Sequence, residues 1–283
     1  WLYLWCNRPV VVIGRNQNPY LECSLDQLEQ TGVPVVRRLS GGGAVYHDLG
    51  NLNYTFFCPE EQMDIQHQTN VIRRALEDLG ITATFSGRND LLVEGRKISG
   101  AAYYTENGCA YHHGTLLIDV DLEQMAQALT PSGLKLKTKS ISSVRQRVAN
   151  LKEINPNLTM TAVAQALMAR FQAEYGAAEV RTWDFEVCPP EHLERYRSAA
   201  WNLGDCPAYD AALEVPVAGG VVRVMAHVVQ GAITKASLSS DLLEALSVLC
   251  LEQALTGCLF TAEAISERLE KYLRPSTNTT REK

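Results

Sequence analysis

The sequence lacks the features that mark several large classes of protein. Its eight cysteines are scattered without one CxxC pair, which gives no support to a structural zinc site or a disulfide framework in a chain of 283 residues. Its apolar runs are too short to cross a bilayer, and no signal peptide opens the chain. We therefore predict reduced thiols, a cytoplasmic location and no membrane partner.

A basic surplus is also missing. The formal charge is −6, which disfavours a nucleic-acid partner because phosphate binding needs a basic surface. GxSxG, HExxH, kinase, EF-hand, Rossmann and Walker A patterns are absent as well. What is present is a globular balance of 46% hydrophobic and 20% charged residues, enough for a sizeable core and one or two domains. The chain begins inside a strand-like run at Trp1, so we expect a further segment before it.

Periodicity predicts alternating strands and helices along the chain. The predicted helices cover 23–32, 62–79, 159–175, 240–255 and 262–273. The predicted strands lie at 9–14, 35–57, 90–93, 97–103, 112–120, 207–214, 221–228 and 231–238. Composition shifts near Cys188-Pro189-Pro190, which predicts a domain of residues 1–187 and a smaller one of 188–283.

Three consecutive glycines, Gly41 to Gly43, follow Arg37 and Arg38 after only Leu39 and Ser40. Such a run is entropically costly unless the backbone must approach something closely, and main-chain N–H groups beside an arginine suit an anion. A plain turn between strands is the alternative. Because adjacent residues on a strand point to opposite faces, one arginine is expected to enter a site while the other stays solvated.

A second polar segment surrounds Lys97. Strict alternation would put Lys97, Ser99, Ala101 and Tyr103 on one face of a strand, with room for a ligand beside the lysine. A solvated surface lysine is the alternative.

Two further features are ambiguous without a fold. His112 and His113 are adjacent, so they face opposite ways on a strand and cannot chelate one metal together. One of them is expected to form a hydrogen bond in the core or in a site. Residues 124–152 hold six cations and no Asp or Glu, which predicts either a solvated loop or a mobile segment, 134–149, that closes over an anionic ligand.

Several motifs together resemble the lipoate–protein ligase A family. They are RRLSGGGAVYHDLGN, SGRNDLL, GRKISGAAY, YHHGTLL, SISSVRQRVANL, VVIGRNQNPYLEC and WNLGDCPAY, collinear from Trp5 to about residue 272. The resemblance implies an α/β (α+β) fold, in which a mixed β-sheet is flanked by helices as in the biotin/lipoate ligases. It also implies that residues 1–187 form the catalytic domain and residues 188–283 a small α/β accessory domain.

The resemblance implies an ATP-dependent ligase. Lipoate and ATP, with Mg²⁺, would give lipoyl-AMP, and the lipoyl group would pass to a lysine of an acceptor. The implied acceptors are the lipoyl domains of 2-oxoacid dehydrogenases and the H protein of glycine cleavage.

The same resemblance implies the site residues, with Lys97 as the catalytic lysine and no residue assigned to a metal. The implied nucleotide contacts are Arg38, Gly43, Ala44, Val45 and Tyr46. The residues implied to shape or complete the pocket are Gly41, Gly42, Asn89, Asp90 and His113.

Two other functions fit the same motifs. The first is a lipoyl or octanoyl transferase that does not form the adenylate. The second is a lipoate-binding module without turnover. Retention of both Arg38 and Lys97 favours the full ligase over a passive binder.

Overall fold

The structure is a computed structural model that describes residues 1–86, 89–129, 147–182, 193–203, 211–217, 220–229, 231–241 and 248–273. The strands are β1 (Leu2–Trp5), β2 (Val10–Ile13), β3 (Val35–Arg37), β4 (Val45–His47), β5 (Asn51–Pro59), β6 (Thr84–Phe85), β7 (Asp90–Val93), β8 (Arg96–Glu106), β9 (Cys109–Leu117), β10 (Ala211–Val217), β11 (Gly220–Val229) and β12 (Ala232–Ser240). The helices are α1 (Pro19–Glu22), α2 (Leu25–Thr31), α3 (Ile65–Asp78), α4 (Leu122–Ala128), α5 (Leu151–Ile154), α6 (Met160–Tyr175), α7 (Leu193–Arg197), α8 (Ala199–Asn202), α9 (Val248–Leu255) and α10 (Ala262–Leu273).

The largest element is a six-stranded antiparallel sheet in the order β1-β5-β9-β8-β7-β6. Helices α3 and α6 cover one face, where Tyr54, Ile72 and Leu167 belong to one buried apolar cluster. Asp64 caps α3 by accepting from the His67 amide, and Thr159 caps α6 in the same way. Apolar periodicity predicted both helices, and both predictions are confirmed. The other face of the sheet is left for the site.

A small sheet in the order β3-β2-β4 lies at one end of the large sheet, on the face that α3 and α6 do not cover. Its β2–β3 pair is parallel, since α1 and α2 connect the two strands, and its β2–β4 pair is antiparallel. Val11, Ile13 and Tyr46 of this sheet share a buried cluster with Leu117 of β9. The small sheet therefore packs against the end of the large one.

A third sheet, β10-β11-β12, forms its own core with α9 and α10. Val222, Val224 and Leu255 are fully buried in it. The predicted fold class is thus confirmed, with antiparallel sheets flanked by helices and parallel pairing confined, among the described strands, to β2 and β3. The boundary between 187 and 188 stays a prediction, because residues 183–192 lie outside the described ranges. None of the helices described is both long enough and apolar enough to span a membrane.

Candidate active site

The three glycines form a loop, residues 39–44, between β3 and β4. Gly42 has φ +89°, a conformation that residues with a side chain rarely adopt. Its carbonyl packs onto Gly14 so closely that a Cβ at Gly14 would overlap it. The amides of residues 41–44 donate to no other described residue. The glycine loop thus combines a conformation that requires glycine with N–H groups free to bind an anion.

Arg38 lies beneath this loop and holds its shape. Its Nη2 donates to Gly41 O (2.6 Å) and Gly43 O (2.8 Å), and its Nε donates to Ser40 Oγ (3.1 Å). These partners are neutral, and Arg38 forms no ion pair within the described ranges. Desolvation lowers the pKa of the guanidinium to about 10, so it stays protonated at neutral pH. The loop therefore has an uncompensated positive charge beneath it.

Arg37 points the other way, as alternation requires, but the expectation that it is solvated is wrong. Its guanidinium donates to the carbonyls of Gly14, Arg15 and Gln17. It also donates to the carbonyls of Trp201 and Asn202 in α8. Arg37 therefore links the loop after β2 to a helix far along the chain.

The one-face prediction for Lys97, Ser99, Ala101 and Tyr103 is wrong. Leu91 pairs with Ser99 whereas Leu92 pairs with Lys97, so Ile98 is an extra residue in β8. Because of this β-bulge, Ile98 and Ser99 are both buried in the core. Lys97 therefore lies on the same face of the sheet as Gly100, three residues later.

The bulge sets the position of the lysine ammonium. Lys97 Nζ is 2.8 Å from Asp90 Oδ1. A Cβ at Gly100 would lie 2.8 Å from the same nitrogen. Lys97 is therefore directed across Gly100 toward the sheet face that also carries His113.

His113 joins that face to the glycine loop. It pairs with Ala102 of β8, and its Nε2 lies 2.6 Å from Ser40 Oγ. Desolvation, and then the charge of Arg38, lower the pKa of His113 to about 3, so its ring is neutral. Its neighbour His112 points into the core, where Nδ1 is 3.0 Å from Gln68 Oε1. The prediction that the two histidines face opposite ways is confirmed.

The remaining candidates occupy two settings. Asn89 Nδ2 donates to Ala101 O (2.7 Å), which fixes the entry to β7 beside Asp90. Tyr46 is 4% exposed in the core of the small sheet, so only its backbone can face a ligand at the loop. Val45 precedes it on β4, and Ala44 packs partly against the same core.

Two residues of the site were not predicted from the sequence. Ser40 is fully buried between Arg38 and His113, and His47 lies near both Arg38 and His113. Burial of the imidazole, and to a smaller extent the positive charge of Arg38, lower the pKa of His47 to about 4. The motif letters contain both residues, but only the fold shows that they meet.

The predicted mobile segment lies almost entirely outside the described residues, which omit 130–146. Of its flanking cations, Lys152 forms an ion pair with Asp119 (2.6 Å). No group of three His, Cys, Asp or Glu side chains within the described ranges is placed to hold a metal.

Comparison with known families agrees with this architecture. A family model described as the lipoyl protein ligase A/B catalytic domain matches residues 1–172. A second, described as the bacterial lipoate protein ligase C-terminus, matches residues 206–281.

Three solved structures are similar to the chain over most of its length. P. falciparum LipL1, in complex with lipoate, is 30% identical with a TM-score of 0.76, covering 95% of this chain and 81% of its own. A bipartite archaeal lipoate protein ligase from Thermoplasma acidophilum, described with its E2 lipoyl domain, is 29% identical with a TM-score of 0.63 and covers 74% and 86%. A lipoate-protein ligase A bound with ATP is 27% identical with a TM-score of 0.61 and covers 72% and 85%.

Proposed function

The chain belongs to the lipoyl protein ligase A/B catalytic family, and we propose that it is an ATP-dependent lipoate–protein ligase. In this proposal it converts lipoate and ATP to lipoyl-AMP and then transfers the lipoyl group to a lysine of an acceptor protein. Its similarity to a lipoate-bound protein, to an ATP-bound ligase and to a ligase described with an E2 lipoyl domain supports each of the three substrates.

One observation carries the proposal: Lys97, which is paired with Asp90, and Arg38, which has no carboxylate partner among the described residues, converge on one sheet face. The side chain of Lys97 extends across Gly100. Ala102, two residues after Gly100 on β8, pairs with His113 of β9. His113 in turn contacts Ser40 above Arg38. Fixed cations and free amides in this arrangement suit a reaction between two anions, because lipoate carboxylate and ATP repel each other in water.

In the first step a lipoate carboxylate oxygen attacks the α-phosphorus, and pyrophosphate leaves with the electrons of the broken P–O bond. Lys97 donates hydrogen bonds to the oxygens on which charge accumulates, and the glycine-loop amides and Arg38 hold the phosphates. In the second step the acceptor amine attacks the acyl carbon, AMP leaves, and the nitrogen gives up its proton. Lys97 stabilises the oxygens of that transition state as well.

Mg²⁺ fits as a companion of the nucleotide rather than as a resident metal. Protein sites commonly hold it through one or two carboxylates plus substrate phosphates, and Asp90 is a carboxylate at this site. When bound, it would neutralise phosphate charge.

The acceptors proposed are the lipoyl domains of 2-oxoacid dehydrogenases and the H protein of glycine cleavage. The proposed division is a catalytic domain of residues 1–187 and an accessory domain of 188–283. A cytoplasmic location remains a prediction from cysteine usage, and the six described cysteines are free thiols.

Lipoate-dependent exchange of pyrophosphate into ATP tests the proposal. We expect exchange that requires lipoate, together with transfer to an excised lipoyl domain. Transfer from synthetic lipoyl-AMP without any exchange would instead identify a transferase that does not form the adenylate. Lipoate binding with neither reaction would identify a binding module.

A further inference from the structure

Two arginines lie against the same tryptophan ring at the edge of the candidate active site. Arg15 Cζ is 4.2 Å from the centroid of the Trp201 ring, and Arg195 Cζ is 4.0 Å from it. Both guanidinium groups therefore lie within cation–π distance of the same indole. These three residues are called the arginine–tryptophan stack below.

The central ring is held in place from both sides. Trp201 Nε1 donates to Arg37 O (2.9 Å), and Arg37 Nε donates to Trp201 O (3.0 Å). Tyr196 packs edge-on against the indole at 5.6 Å between centroids. Because the indole is fixed, the two cations stacked on it have defined positions rather than the freedom of isolated surface arginines.

The stack borders the sheet face that carries Lys97 and His113. The Arg15 amide donates to Ser40 O in the glycine loop (2.9 Å). Tyr104, two residues beyond Ala102 on β8, is among the groups that act electrostatically on Arg15. A protein that brings a lysine to the site must therefore approach close to the stack.

Both cations are exposed and lack a carboxylate partner in the described part of the chain. Glu194, the nearest acid in sequence to Arg195, lies 3.6 Å from Arg197 instead. Partial burial and the charge of Arg195 lower the pKa of Arg15, as expected for like charges held near each other. An anion placed beside the stack would relieve this repulsion.

We propose that the arginine–tryptophan stack docks the acceptor protein, a folded domain that presents its target lysine beside acidic side chains. The proposal rests on the transfer reaction proposed above. Two cations held against one fixed ring at the edge of the site match two separate carboxylates better than one phosphate chain. The chain carries a net charge of −6, so an acidic partner needs a local cationic surface to approach and orient.

The test compares Arg15→Gln, Arg195→Gln and the double variant with Arg197→Gln, an exposed arginine of the same helix as Arg195. The acyl donor is synthetic lipoyl-AMP, and the acceptor is an excised lipoyl domain, so docking is measured independently of adenylation. We expect the double variant to raise the acceptor KM about fivefold at low ionic strength, the combined value of two exposed ion pairs. The increase should fade as salt is added, kcat should not change, and Arg197→Gln should behave as the unmodified chain.

Two further measurements separate docking from other roles. Aminolysis of lipoyl-AMP by hydroxylamine, which needs no docking, should be unchanged in every variant. Arg195→Glu should recover acceptor affinity when an acidic residue beside the acceptor lysine is changed to Lys. An unchanged acceptor KM in the double variant would overturn the proposal. A loss of activity with hydroxylamine as large as the loss with the acceptor domain would overturn it as well. Absence of pyrophosphate exchange in the unmodified chain would count against the ligase function alone.

Discussion

A single lysine is expected to serve both half-reactions. Its ammonium is positioned by Asp90 at 2.8 Å and by the absence of a side chain at Gly100. We expect Lys97→Ala to lower the rates of adenylation and transfer by about two to three orders of magnitude, the cost of one well-placed electrostatic group. Single-turnover assays of each step check this, with the exposed Lys271→Ala as control. Substantial turnover in both steps would contradict the role of Lys97.

Gly100→Ala tests the position of the lysine without removing it. The added methyl would lie 2.8 Å from Lys97 Nζ and 2.9 Å from Cε, so the ammonium must move while the backbone need not. We expect adenylation to fall about tenfold or more, since small misplacement of a catalytic group is costly. The melting temperature should change little. Full adenylation activity would show that the site tolerates a displaced ammonium.

Two neighbouring glycines should respond differently to substitution. Gly42 has φ +89°, whereas the space around Gly43 is open. We expect Gly42→Val to cost about 1–2 kcal/mol of unfolding free energy and to abolish ATP binding, because strain and bulk both oppose the loop conformation. Gly43→Ala should leave the melting temperature nearly unchanged. Calorimetric ATP affinity that survives Gly42→Val would reduce the loop to a plain turn.

At the scale of elements, Arg37 connects β3 to α8. Replacing it with Met would leave the carbonyls of Gln17, Trp201 and Asn202 without their charged donor. We expect Arg37→Met to lower the free energy of unfolding by about 2–4 kcal/mol, given that hydrogen bonds to charged groups contribute more than neutral ones. Amide exchange in residues 193–203 should accelerate.

Arg197→Met provides the matched control, because this exposed arginine lies only 3.6 Å from Glu194 in the same helix. Its effect should stay within about 0.5 kcal/mol. Equal losses in the two variants would show that the Arg37 contacts do not hold α8.

Helices and strands were largely predictable because their signals are local. The periodicity of 159–175 and 262–273 predicted α6 and α10 to within a residue. The orientation of Lys97 was not predictable, since a one-residue bulge at Ile98 reverses every face assignment after it. The Arg37 contacts were also beyond local reasoning, because Asn202 lies 165 residues further along the chain.

At the scale of the whole molecule, three buried histidines make stability depend on pH. Desolvation lowers the pKa of His47 and His112 to about 4 and that of His113 to about 3, from an ordinary value of 6.5. Below pH 6.5 the unfolded chain therefore binds more protons than the folded one, and stability falls with pH until the folded pKa values are reached. Each histidine adds a slope of up to about 1.4 kcal/mol per pH unit.

We expect the free energy of unfolding in urea to be level near pH 7–8 and to fall by about 4–5 kcal/mol between pH 6.5 and 5, since each of the three imidazoles contributes up to about 1.6 kcal/mol over that interval. His112→Gln should flatten this slope, because it removes one buried imidazole from the core without touching the candidate site. His67→Gln is the matched control, as the His67 side chain is 42% exposed. A stability that does not vary between pH 5 and 7, or a slope that the two variants change equally, would mean that the buried histidines do not titrate as their surroundings require.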